Sequence, residues 1–145
     1  MKHHLTTIPP EKAIQLPLHD AHIFSLNMPI AEDGCLNVFI EVEINSEESL
    51  EPFREFGINN PKMTLVFQDC SQVTAILIGF CTGREVMSTF EIIELSELEQ
   101  KLHAIGVGSE TMIHFRIQGS HGSQLDFVGG TFSVAEQKME QPHTS

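Results

Sequence analysis

Three groups of residues in this chain are equipped for chemistry: the run His19-Asp20-Ala21-His22, the pair His114 and Arg116, and the thiols Cys35, Cys70 and Cys81. Two imidazoles and a carboxylate within four residues would make half a metal site on a helix, where positions three apart share a face. Here the surrounding pattern reads as a strand over residues 18–28. His19 and His22 are then expected on opposite sides, and a metal would need a bulge and a third ligand from elsewhere. No metal or cofactor is expected there, and Asp20 is expected to hold a turn or to accept a backbone hydrogen bond. His3 and His4 fall in a polar lead and are read as solvated.

The cysteines are odd in number and lack CxxC spacing, which fits reduced thiols in a cytoplasmic protein better than a disulfide framework. Cys70 and Cys81 flank one expected strand, too far apart along it to bond, and are read as small buried hydrophobes. His114 and Arg116 lie two apart, on the face of their strand opposite Ile113, Phe115 and Ile117. That placement predicts a cross-strand ion pair, with Glu41 or Glu43 as the acid if those strands are neighbours. Gly106-Val107-Gly108 follows a helix and lacks the Gly-Lys-Ser/Thr of a phosphate loop, and no Gly-x-Ser-x-Gly elbow accompanies the serines. No catalytic residue is assigned.

Charge is the other strong signal. Twenty Asp and Glu against eight Lys and Arg leave the 145-residue chain at −12. Nucleic acid and anionic membranes are therefore poor partners, because both are bound through clustered basic side chains. A basic protein surface is the electrostatically natural target. Glu91, Glu94, Glu97 and Glu99 form the densest acidic run, and Glu47, Glu48 and Glu51 a second. These seven are the candidate partner-binding residues.

The elements that must carry them are mostly strands. Leu36, Val38, Ile40, Val42 and Ile44 alternate with Asn37, Phe39, Glu41 and Glu43, which predicts a strand with one buried and one largely wet face. Asp33-Gly34 before it is a hairpin signal. Further strands are expected over 63–69, 72–80, 85–93, 111–118, 123–128 and 131–135. The run Ala75-Ile76-Leu77-Ile78 suggests burial on both faces. A helical turn pinned by Phe53 and Phe56 fits residues 49–57, and Ser96-Glu97-Leu98-Glu99 matches a capping box opening a short helix that ends at Gly106. The expected fold is mainly β: an antiparallel β-sandwich or partly open barrel of about seven or eight strands with one short helix. Residues 1–17 read as a flexible lead, 18–135 as one domain and 136–145 as a polar tail. The lead lacks the apolar core of a secretory signal, and no apolar run is long enough to span a membrane.

Leu18-His19-Asp20-Ala21-His22-Ile23, the alternating strand at 36–44, Leu65-Val66-Phe67-Gln68-Asp69-Cys70 and the hairpin His114-Phe115-Arg116-Ile117 with Gly122-Ser123-Gln124-Leu125-Asp126-Phe127 together resemble small bacterial β-rich proteins, including immunity proteins that protect a producer from its own polymorphic toxin. The resemblance covers most of residues 18–134 and implies a non-catalytic inhibitor that occludes a basic toxin surface. No catalytic residues carry over. The alternative is a module holding a small apolar molecule between its sheets. A third class, a hydrolase or metal enzyme, would have to use His19, His22 or His114. Exposed strand edges are compatible with a homodimer.

Overall fold

The computed structural model describes residues 5–30, 32, 34, 36–70, 72–78, 86–93, 113–129 and 131–136. The strands are β1 (Leu5–Thr7), β2 (His22–Asn27), β3 (Leu36–Glu43), β4 (Lys62–Cys70), β5 (Gln72–Ile76), β6 (Met87–Ile93), β7 (Ile113–Gly119), β8 (Gln124–Gly129) and β9 (Thr131–Glu136). They form a five-stranded sheet in the order β1-β9-β4-β3-β2 and a four-stranded sheet in the order β5-β8-β7-β6. Every neighbouring pair is antiparallel. The protein is thus a mainly β sandwich, as its alternation predicts. The helix expected at 96–106, the residues Cys35 and Cys81, and the tail beyond Glu136 lie outside the described residues.

Alternation sets the two faces of each sheet. Val38, Ile40 and Val42 of β3 point inward beside Met63, Leu65 and Phe67 of β4, and all six are buried. From the other sheet come Phe115, Ile117, Leu125 and Phe127. Phe67 is the hub. Its ring centroid lies 4.5 Å from that of Phe127, 5.1 Å from Phe132, 5.3 Å from Phe115 and 6.0 Å from Phe90. Tilted and edge-on contacts at such distances add to the burial of the rings themselves. This cluster fills the space between the sheets.

Two seams join the sheets. On one side β4 runs into β5 and β8 into β9, and both chains change sheet together. Gln68 is opposite Thr131 before the bend and Gln72 is opposite Val128 after it. A Cβ added to Gly129 would stand 3.0 Å from Cys70 Sγ and 3.2 Å from the Gln68 carbonyl oxygen, so the crossing strands can approach this closely only at glycine. Asp69 takes up the bend at φ 57°. On the other side Asp20 N–H donates to the Met87 carbonyl and Met87 N–H to that of Ala21, each at 2.8 Å, and His22 bridges Val86. The sandwich is therefore stitched along both flanks, part of the way toward a barrel.

Four local expectations change. The lead 1–17 belongs to the domain from Leu5 onward: β1 pairs with β9, Ile8 is 1% exposed and donates its N–H to Phe132 O, and Pro9-Pro10 opens a one-turn helix, α1 (Pro10–Ala13), instead of breaking structure. The first strand begins at His22, not Leu18, because Asp20 sits at φ 69° in a turn. The second helix, α2 (Glu47–Arg54), starts two residues early because Ser46 caps it, its side chain accepting the Ser49 N–H; Phe53 is buried and Phe56 half-buried, as the pinning idea requires. Finally, residues 76–78 are not buried on both faces. Ile76, Leu77 and Ile78 are 54%, 47% and 48% exposed, because β5 ends its sheet and, among the described residues, pairs with β8 alone.

Candidate functional site

The His19–His22 run is used as a fastener. His19 lies in the turn, where its Nδ1 donates to the Ser88 carbonyl at 2.9 Å and so ties the turn to β6. Its other ring nitrogen is 3.5 Å from an exposed Asp20 carboxylate, and the Asp20 carbonyl accepts from Asn45. His22, three residues further on, packs its ring against that of Phe24, tilted, with centroids 4.5 Å apart. The two imidazoles are thus engaged separately, and among the described residues no group of three His, Cys, Asp or Glu converges on a common point.

His114 and Arg116 do form a charged cluster, on the outer face of the four-stranded sheet. Their acid is Asp126 of β8, not Glu41 or Glu43, because β3 lies in the other sheet. His114 Nε2 and Arg116 Nε both donate to Asp126 Oδ1 at 2.8 Å, and Gln124 Nε2 donates to Oδ2 at 2.9 Å. Burial alone would raise the Asp126 pKa. The hydrogen bonds from Arg116, Gln124 and His114 outweigh it and hold the carboxyl below its ordinary range. Of the roughly four acceptor sites an ionised carboxylate offers, three are filled by donors from its own sheet. Its chemistry is cohesion of β7 to β8.

Of the seven acidic candidates, the four that are described fall on two elements, α2 and β6. Glu47, Glu48 and Glu51 are exposed on α2, but Arg54 bridges Glu47 at 2.6 Å and Glu51 at 2.7 Å, cancelling part of their field locally. The same contacts, led by the Glu47 hydrogen bond, raise the Arg54 pKa. Glu91 is exposed on β6, in register with Arg116 on β7. Glu94, Glu97 and Glu99 lie outside the described residues.

A different surface has the makings of a site. The outer face of the five-stranded sheet carries a shallow depression of about 220 Å³. Its floor is apolar, made by Leu5, Phe39, Val66 and Ala135 from four adjacent strands, and Ser25, Asn27, Thr64 and Glu41 stand around it. A second depression adjoins it at Glu41, between Phe24, Val42 and Lys62. Glu41 therefore borders both, and Phe24, half exposed at a break in the β2–β3 register, extends the apolar surface outward. The signal for this surface in the sequence is Phe39, a large apolar side chain among Asn37, Glu41 and Glu43 on the face that alternation assigns to water.

Comparison with protein-family models, curated proteins and solved structures gives no match for this chain. No helix among the described residues is long and apolar enough to cross a membrane.

Proposed function

We propose that this protein is a non-catalytic binding module that docks a basic protein on the outer face of its five-stranded sheet, in the manner of an immunity-type inhibitor acting in the cytoplasm. The observation that carries the reading is the apolar-floored depression with Glu41 at its border, in a chain of net charge −12. Such a surface suits a Lys or Arg side chain, whose methylenes lie on Phe39 and Val66 while its charged head reaches the carboxylate. The overall negative field steers a basic partner toward encounter, and the apolar floor supports residence. Occlusion of the partner's surface is then sufficient for inhibition. A small molecule held between the sheets would have to displace the Phe67 cluster, which favours the outer face as the site.

The test is capture from lysate of the source organism at low and high salt, with three baits: the native chain, Glu41→Lys and Glu48→Lys. The reading expects a basic protein, identified by mass spectrometry, that is weakened by salt, lost with Glu41→Lys and kept with Glu48→Lys. Retention by Glu41→Lys, or capture indifferent to salt, refutes it.

A further inference from the structure

Among the described residues four strands end the two sheets, and they differ sharply in what their outer edges offer. β1 is three residues long. β2 is latched at His22 to Val86, breaks register between Ile23 and Ser25, and runs into Pro29. β6 breaks register between Met87 and Thr89 and carries Glu91. Short length, bulges, proline and charge are the usual means by which sheet edges are kept from pairing. β5 has none of them: its register with β8 is unbroken, and it lies in the longest run of the chain without a charged side chain, residues 70–83.

Its geometry points the same way. Ser123 Oγ accepts the Ile78 N–H and donates to the Ile78 carbonyl, both at 2.8 Å, so residue 78 still follows β8 and turns its backbone groups inward. By strand alternation Val73, Ala75 and Leu77 turn theirs outward. Thr74 to Ile78 are all exposed, which leaves both side-chain rows of this ribbon uncovered.

We infer that the outer edge of β5 is the seam of a symmetric dimer of this chain. Two copies at −12 repel wherever acidic groups face each other, so their contact has to fall where charge is absent. β1 and β2 are uncharged too, but one is three residues long and the other is bulged and runs into Pro29, which leaves β5 among the described edges. A two-fold axis beside Ile76 makes the pairing antiparallel. Ile76 then faces its own copy, and Ala75 and Leu77 of the two copies exchange the outward-turned backbone hydrogen bonds. Ile78 comes to lie opposite Thr74, and one eight-stranded sheet runs through both copies.

Sedimentation of the full chain, from micromolar to millimolar, tests this. The expected result is a discrete species of twice the 16.2 kDa chain mass that tightens severalfold from about 0.05 to about 0.5 M salt as the like charges are screened. Leu77→Pro removes an outward-turned N–H and is tolerated at a sheet edge; Ile76→Lys places like charges on the axis. Both are expected to be monomeric with unchanged circular dichroism. In the native chain, exchange of the Ala75 and Leu77 amides should slow as concentration rises. A monomer throughout, irregular aggregates in place of a dimer, or a dimer that survives both substitutions overturns the inference; concentration-independent exchange at those amides does so even if the variants misfold.

Discussion

Removing the Asp126 carboxylate strands the Arg116 guanidinium and the His114 ring N–H at once, and this makes it the most informative single perturbation of the fold. The Asp126 side chain is 14% exposed, and it accepts from His114, 10% exposed, and Arg116, 29% exposed. A hydrogen bond to a charged group contributes about 1.5–3 kcal/mol when one partner is deleted, and breaking a fully buried pair costs about 3–5 kcal/mol. The partial exposure of Arg116 places Asp126→Ala near the lower bound, about 3 kcal/mol. Arg116→Met keeps most of the aliphatic packing and removes the charge, so the double variant should recover about 1–2 kcal/mol of the summed losses. Urea unfolding of the four proteins of the cycle reads this coupling directly. Acid provides an independent check. Because the folded carboxyl titrates below its unfolded value, its contribution is complete at neutral pH and is lost as pH falls below roughly 4 through the native pKa. The difference between native protein and Asp126→Ala should shrink over that interval. A coupling under about 0.5 kcal/mol, or a gap that persists in acid, would show that the cluster is a surface ornament and not a tie between β7 and β8.

Three further substitutions test one seam, the end of β5 and the cap of α2. Gly129→Ala forces a methyl against Cys70 Sγ and the Gln68 carbonyl and should cost about 1–3 kcal/mol in urea, with Cys70→Ala in the same chain restoring part of it but not all, since the carbonyl stays in place. Ser123→Ala removes both bonds to Ile78; amide exchange at Ile78 should accelerate by about tenfold or more, matching the loss of about 1.5 kcal/mol, while the β3–β4 amides keep their protection. Ser46→Ala unsaddles α2 and should lower global stability by about 1 kcal/mol, measured by thermal unfolding.

Much of this architecture is legible in the sequence, and the parts that are not have local physical reasons. Strict alternation over 36–44 identifies β3 because its two faces meet different environments, core and water. The same rule misjudges 76–78. A continuous apolar run is compatible with double burial, and nothing local reveals that the strand has a neighbour on one side only. His19 is misplaced because one left-handed residue, Asp20, ends the extended pattern, and a non-glycine at positive φ leaves little trace in composition. The lead is misread because two prolines look like interruption when Pro10 occupies the first turn of a helix, where its missing N–H is not needed. His114 and Arg116 show as a pair by their spacing, but their acid depends on strand order, which alternation does not encode. Asp126 sits across the Ser120-His121-Gly122 turn and is the nearer choice once hairpin register is used.

The charge of this chain gains a more specific meaning from where it is absent. An acidic surface is commonly a device for solubility, and a uniform one would serve that end without further structure. Here the acids on α2 are partly neutralised by Arg54, while the depression on the five-stranded sheet keeps a carboxylate beside an apolar floor and the edge of β5 keeps none at all. The two surfaces belong to different sheets, and salt acts on them in opposite senses. Screening weakens attraction to a basic partner and relieves repulsion between copies. A titration with salt therefore separates the two associations in one sample: partner release and self-association should move in opposite directions, and if both move together the charge of the chain is not what distinguishes its surfaces.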